Sequence, residues 1–199
     1  MIVYLATNNP HKAEELAPLL PGVELRLPRD AGIEFDPEED GADFLANSLI
    51  KARVLHALVR APVLADDSGL CVDALGGEPG IRSARYGQVE GGPKLEAADR
   101  NRLLLEAVRG AADRACRFVC CLTLVRSDDR FFAVQETCEG VLLEAPRGSG
   151  GFGYDPIVYL PELGRSVAEL TMEEKSRVSH RGRAARRMAA LLVDLIAAP

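Results

Sequence analysis

The sequence predicts an α/β protein built on a mixed sheet, and three features predict it. A continuous apolar run, Ile2-Val3-Tyr4-Leu5-Ala6, reads as a buried strand and leads straight into a helical pattern. Strand-like and helix-like stretches then alternate as far as a helical pattern at about 94–109. Two strand signals follow at about 116–126 and 131–143, joined by the polar turn Ser127-Asp128-Asp129. Alternation with crossover helices gives parallel strands and a hairpin gives antiparallel ones, so the sheet is mixed.

The elements follow in order. Thr7-Asn8-Asn9-Pro10 breaks the first strand, with Asn9 suited to cap a helix and Pro10 to begin it. Ala13, Leu16, Ala17 and Leu20 continue at helical spacing, and Pro18 should kink or shorten that helix. A second strand fits 23–27, after Pro21-Gly22. The acidic turn 36–41 precedes a long helix at about 43–59. Its apolar side is expected through Leu45, Leu49, Ala52 and Leu55, while Asp43, Asn47 and Lys51, four apart, share a separate polar stripe. Pro62-Val63-Leu64-Ala65 is a short strand expected to end at Asp66-Asp67-Ser68-Gly69. Residues 76–92 and 146–156 are glycine-rich and loop-like. A last helix fits 182–197, with Ala185, Met188, Ala189, Leu192 and Leu195 on its apolar side.

Composition bounds the function. The 199 residues suit a single domain over 1–199, with no internal repeat and no shift that demands two. Apolar residues make up 47% and charged residues 27%, ordinary values for a globular chain. Thirty acidic against 24 basic residues give a net charge of −6. A chain that binds a nucleic-acid backbone should be basic, so no nucleic-acid partner is expected. An acidic chain that handles phosphates must gather its cations in one place or recruit a metal. The five cysteines, Cys71, Cys116, Cys120, Cys121 and Cys138, show neither CxxC nor zinc-site spacing, and their odd number speaks against a disulfide framework. No apolar run approaches the ~20 residues of a membrane span, and the N-terminus lacks a signal-peptide pattern. A cytoplasmic protein without a membrane partner is the expectation.

Four segments place polar groups where chemistry can use them. Thr7-Asn8-Asn9-Pro10-His11-Lys12 joins a strand to a helix start, where backbone N–H groups and the dipole favour an anion. The glycines of a Walker loop are missing, and simple helix capping explains the segment equally well locally. Glu38 and Glu39, beside the Asn47/Lys51 stripe, suit a magnesium ion next to a phosphate, or else form a solvated acidic turn. Asp66-Asp67-Ser68-Gly69 is the sharpest: carboxylates after an apolar strand hold Mg²⁺ with waters and phosphates, or orient an attacking water, unless they merely make an Asp-rich turn. Finally, Gly151-Phe152-Gly153-Tyr154-Asp155-Pro156, with Lys175, His180 and Arg181, offers a ring to stack on a base, an acceptor, and several donors. A donor-rich pocket favours an oxo over an amino group. Taken singly, Phe152 equally suits a core position, and His180-Arg181 the exposed start of a helix.

Together these segments resemble the inosine triphosphate pyrophosphatase family, the dITP/XTP diphosphatases. The likeness runs from Thr7 to Arg181: T-x-N-x-x-K at Thr7, Asn9 and Lys12; A-D-D-S-G-L from Ala65 to Leu70; V-D-A-L-G-G-x-P-G-x-x-S-A-R-Y-G from Val72 to Gly87; G-G-F-G-Y-D-P from Gly150 to Pro156; and A-E-L-T-x-E-E-K-S-x-x-S-H-R-G from Ala168 to Gly182. The resemblance implies a long mixed sheet with flanking helices, in two lobes around a central substrate cleft. It implies Mg²⁺-dependent hydrolysis of purine nucleoside triphosphates such as ITP, dITP and XTP, to the monophosphate and pyrophosphate, by a homodimer. Thr7, Asn8, Asn9, Pro10, His11, Lys12, Lys51 and Ser68 would hold the triphosphate. Asp67 would be proton acceptor and metal ligand, Glu39 its partner at the metal, and Asp66 their support. Phe152, Gly153, Tyr154, Asp155, Lys175, His180 and Arg181 would form the base pocket.

One segment departs from the family. Where T-F-x-E-N-A-x-x-K-A is usual, Asp43 replaces the threonine and Ala46 the glutamate, which leaves open the metal's ligand number or second shell. Two rivals follow: a nucleotide sensor that binds without hydrolysis, and a pyrophosphatase of broad specificity.

Overall fold

The computed structural model describes residues 1–89 and 91–197, and side chains as far as Leu192. Seven strands form a mixed sheet: β1 (Ile2–Leu5), β2 (Glu24–Arg26), β3 (Val63–Val72), β4 (Ala115–Ser127), β5 (Arg130–Leu142), β6 (Val158–Leu160) and β7 (Arg165–Ser166), in the order β2-β1-β3-β4-β5-β6-β7. β1 pairs parallel with both β2 and β3, whereas β6 pairs antiparallel with β5 and β7. The helices are α1 (Pro10–Leu16), α2 (Phe44–Val59), α3 (Ala97–Ala107), α4 (Met172–Val178) and α5 (His180–Ala197). The α/β class with a mixed sheet is as expected. By internal contacts the chain divides into two compact units: one of 1–67, 120–136 and 180 onward, the other of 68–119 and 137–179. Among the described residues, no helix is long and apolar enough to cross a membrane.

The first unit is ordered by strand alternation. Successive side chains of a strand point to opposite faces, so Leu64 joins one buried cluster and Val63 and Ala65 another. The first cluster unites Val3 and Leu5 with Leu16 of α1 and Ala184, Ala185, Met188 and Leu192 of α5. The second unites Ala6 and Val125 with Ala52 and Leu55 of α2. Of the apolar side expected of the last helix, Ala185, Met188 and Leu192 are buried and Ala189 half-buried, and Leu195 lies outside the described side chains. β1 connects to β2 on one side and lies beside β3 on the other. In open α/β sheets such a reversal of strand order marks where ligands bind, beyond the carboxyl ends of the strands. Thr7 stands at that end of β1, level with the middle of β3, since the Ala6 N–H donates to the Leu64 carbonyl at 2.8 Å.

Two expectations need correction. α2 does not bury the apolar stripe as drawn: Leu45 is 40% exposed, while Asn47, Ser48 and Lys51 are buried with Ala52 and Leu55. The polar stripe is inside because it has partners there: Ser48 Oγ donates to the Ala65 carbonyl at 3.2 Å, Asn47 Oδ1 accepts from Gly41 N–H at 2.8 Å, and Lys51 reaches a carboxylate. Nor does the strand at 62–65 stop before the acidic pair. β3 runs on to Val72, so Asp66 and Asp67 are mid-strand residues and not members of a turn.

The second unit has its own core, in which Leu70 and Val72 of β3 pack with Leu104, Phe118, Leu142, Ile157 and Leu160. Gly69 is a glycine because another backbone sits against it. A Cβ there would lie 2.2 Å from the Gly80 carbonyl oxygen and 2.5 Å from Ser83 Oγ. Ser83 fixes that approach, accepting from Leu70 N–H at 2.8 Å and donating to the Gly80 carbonyl at 2.7 Å. Gly69→Ala should therefore lower unfolding free energy by about 1–3 kcal/mol or more, as overpacking does. Urea denaturation measures it, and an unchanged midpoint would mean that the 80–83 segment yields freely.

Candidate active site

The site begins at the end of β1. Asn9 caps α1, as expected, accepting from His11 N–H at 3.0 Å, and Pro10 is the first helical residue. Thr7 Oγ1 accepts from Asn9 N–H at 3.1 Å. Two amides expected to face an anion are thus spent on side-chain caps, and Pro10 has no N–H. The cradle of free amides is smaller than the sequence suggested, and Lys12 becomes its principal donor. Asn8 Nδ2 donates to the Phe35 carbonyl at 2.5 Å, and His11 is exposed beside Glu14.

Lys12 leads to Asp66. Its Nζ lies 2.5 Å from Asp66 Oδ1 and 3.1 Å from the Asp66 carbonyl oxygen. Asp66 Oδ2 accepts from Arg181 Nε at 2.8 Å and from Cys120 Sγ at 3.3 Å. Asp66 is fully buried, which opposes its charge, yet Arg181 and Lys12 outweigh burial and hold its carboxyl well below the ordinary range. Arg181 is buried too, with Nη1 2.6 Å from Glu15 Oε2. At least two of its guanidinium nitrogens are committed to carboxylates of the first unit, where the sequence had grouped it with the base pocket. Buried His180 stands before it at the start of α5.

Asp67 faces the other way, toward α2. Its Oδ1 lies 2.6 Å from Lys51 Nζ, and the same ammonium lies 3.4 Å from Glu39 Oε1. Burial raises the Asp67 carboxyl above its ordinary value, and Lys51 offsets this only in part. Burial also opposes the Lys51 charge, but Asp67 and Glu39 prevail and raise it. Asp67 Oδ2 is buried without a hydrogen-bond partner among the described residues. An orphaned carboxylate oxygen is costly unless a ligand completes it. Asp67 and Glu39, which share the Lys51 ammonium, are both hard oxygen donors of the kind Mg²⁺ takes alongside waters and substrate phosphates. No cluster of three or more His, Cys, Asp or Glu with metal-site geometry exists among the described residues.

The second unit holds the other expected group. Asp155 Oδ2 accepts from Lys175 Nζ at 2.6 Å and from Phe152 N–H at 2.8 Å, and the Lys175 ammonium stands 4.8 Å from the centroid of the Phe152 ring. Asp155 and Lys175 are buried, while Phe152 is half-buried. At Gly151 the space a side chain would need is taken by protein: a Cβ would lie 2.0 Å from Asp155 Oδ2. Tyr154 is buried, its hydroxyl donating to the Ser83 carbonyl at 2.8 Å. Ser68 is half-buried on β3.

Sequence reasoning missed three supporting residues. Glu15 pairs with Arg181; Asn101 Nδ2 donates to the Gly153 carbonyl at 3.1 Å; and Ser83 braces both Gly69 and Tyr154. Only Asn101 carried a signal, as a short amide inside an otherwise amphipathic helix, where such residues are unfavourable without a partner.

Known proteins resemble the chain over nearly its whole length. The model of the Ham1 family matches residues 3–191. A dITP/XTP pyrophosphatase of Treponema denticola is 54% identical over 184 residues, 92% of this chain and 94% of that one. One from Thermus thermophilus is 48% identical over 94% of this chain and 89% of its own. The solved structure of a HAM1 protein from Coxiella burnetii superposes with a TM-score of 0.89 at 35% identity, over 98% of this chain and 99% of that one. The chain belongs to the Ham1 family, which bears out the resemblance read from its motifs.

The departure at 43 and 46 has a local explanation. Asp43 is the N-cap of α2, accepting from Ala46 N–H at 2.8 Å, so position 46 is N3. A Thr at N-cap with a Glu at N3 is a capping box, and here Asp43 supplies half of it. Ala46→Glu should restore the other half and raise unfolding free energy by about 0.3–1.5 kcal/mol, with turnover unchanged. A lowered midpoint, or altered metal dependence, would show that the position does more than cap.

Proposed function

We propose that the chain hydrolyses non-standard purine nucleoside triphosphates, ITP, dITP and XTP, to the monophosphate and pyrophosphate, and that it needs Mg²⁺. The observation that supports this best is the division of labour between Asp66 and Asp67. Asp66 is neutralised by Lys12 and Arg181, whereas Asp67 keeps one buried oxygen open and has a raised pKa. A carboxylate of that kind takes a proton from water at neutral pH more readily than an ordinary aspartate.

In this reading, Lys12 and Lys51 bind the triphosphate, with Thr7 to His11 and Ser68 shaping its seat. Asp67 and Glu39 hold Mg²⁺, which when bound neutralises phosphate charge and acts as a Lewis acid. Asp67 orients a water and accepts its proton as the oxygen attacks phosphorus at the α–β linkage. The bond to pyrophosphate breaks, and its electrons leave with the pyrophosphate oxygen. The fixed ammonium groups stabilise the charge that develops. Phe152 offers a face for the base. Lys175 and Asp155 offer a donor and an acceptor, with His180 as a further donor. A site built to pair a 6-oxo group can reject an amino analogue by ~10⁴-fold or more. With Arg181 engaged by Asp66 and Glu15, that selectivity rests chiefly on Lys175 and Asp155.

The reading extends to a homodimer working in the cytoplasm. Five free thiols suit a reducing compartment, and the exposed Val54 and Leu58 of α2 are apolar surface a partner subunit would cover.

Pyrophosphate release from ITP, XTP, GTP and ATP, each with Mg²⁺ and with EDTA, tests the proposal. Metal-dependent turnover of ITP and XTP, ATP far behind, is expected, and Asp67→Asn should cut turnover by orders of magnitude while preserving the fold. Near-normal activity in that variant removes Asp67 from the mechanism, and binding of ITP without turnover makes the chain a sensor.

A further inference from the structure

Phe152, the ring offered to the base, stands between two glycines of positive φ, Gly151 at 69° and Gly153 at 64°. Glycine takes such a conformation at no steric cost but does not enforce it. The direction of the Phe152 ring is therefore set by bonds that reach this segment from elsewhere. One is the bond from Phe152 N–H to Asp155 Oδ2, at 2.8 Å.

The carbonyls that follow show a second. The Phe152 carbonyl accepts from Asp155 N–H at 3.3 Å and the Tyr154 carbonyl from Ile157 N–H at 3.0 Å, both inside the turn. The Gly153 carbonyl between them takes its donor from α3, Asn101 Nδ2 at 3.1 Å. α3 is anchored in the core of the second unit through Leu104, so this bond ties a permissive segment to a fixed element. Asn101 is 4% exposed, and its Oδ1 is buried without a hydrogen-bond partner among the described residues. A neutral hydrogen bond typically contributes less to stability than an unsatisfied buried acceptor costs. The amide as a whole therefore adds little to the fold, and its consequence lies in where it holds Gly153.

We infer that Asn101, which lies outside every motif that carries the family likeness, is a positioning residue for the base: by holding the Gly153 peptide it fixes the Phe152 ring beside the Lys175 ammonium, 4.8 Å from its centroid, and so presets the platform for the purine. The inference rests on the proposed role of Phe152 as that platform. Its effect falls on the nucleoside and leaves phosphate binding alone, because Lys12, Lys51 and Asp67 belong to the first unit and take no part in this bond.

Asn101→Leu tests it, since leucine keeps the branched shape but neither donates nor leaves an acceptor orphaned. Inosine monophosphate and inorganic tripolyphosphate probe base and phosphate binding separately, by calorimetry. In the variant, the dissociation constant of inosine monophosphate and KM for ITP should rise together by about fivefold, the effect of one neutral hydrogen bond. Tripolyphosphate affinity, kcat and the urea midpoint should hold. A folded variant that binds inosine monophosphate as before overturns the inference, as does equal weakening of both probes, which marks a general loosening. If the Leu variant does not fold, Asn101→Ala, which cannot clash, decides by the same two constants; failure of both to fold makes Asn101 structural and overturns the inference too. An unsubstituted protein that binds inosine monophosphate but does not turn over ITP sinks the pyrophosphatase reading, and the calorimetric comparison still judges Asn101. One that binds no inosine monophosphate removes the platform, and the inference with it.

Discussion

Two carboxylates on consecutive residues of a buried strand set the terms for the first unit. Alternation sends Asp66 toward α1 and α5 and Asp67 toward α2. On the first side Lys12 and Arg181 meet Asp66, and on the second Lys51 meets Asp67. Each carboxylate needs a cation from a different helix, so the charges decide which helices close on which face of the strand. The pairs need not add much net stability over an apolar core. What they do is fix three cations around the end of β1 and the middle of β3.

The two carboxylates also differ in what they leave available. Asp66 has both oxygens engaged, and its ionisation supports the fold. Because its folded pKa is depressed, that contribution is present above the unfolded value of about 3.9 and is lost as pH falls toward the folded one. Asp67 has the opposite sign. Its raised pKa means that ionisation works against the fold, and perturbed values of that kind cluster at functional sites. One dipeptide thus carries two carboxylates shifted in opposite directions.

Much of the fold was legible because it follows from local rules. Asn9-Pro10 marked the start of α1, the Ser127–Asp129 turn marked the hairpin, and the apolar spacing from Ala185 to Leu192 marked the buried side of α5. The errors share one cause: a polar residue looks exposed until its partner is known. Asn47 and Lys51 resembled a solvated stripe because Gly41 and Asp67 are distant in sequence. Asp66-Asp67-Ser68-Gly69 resembled a turn because nothing local reveals that Gly69 is pressed against the Gly80 carbonyl. The motifs brought Lys12, Asp66, Asp67 and Arg181 to attention, but which of them pair is set by contacts as far apart in sequence as Glu15 and Arg181.

The most direct measurement is an NMR titration of the side-chain carboxyl carbons of Asp66 and Asp67 in the metal-free protein. Asp66 should stay ionised to the lowest pH at which the protein remains folded, while Asp67 titrates above the ordinary aspartate range. Both groups titrating together near the ordinary value, or Asp66 above Asp67, would contradict the separation of roles on which the site is built.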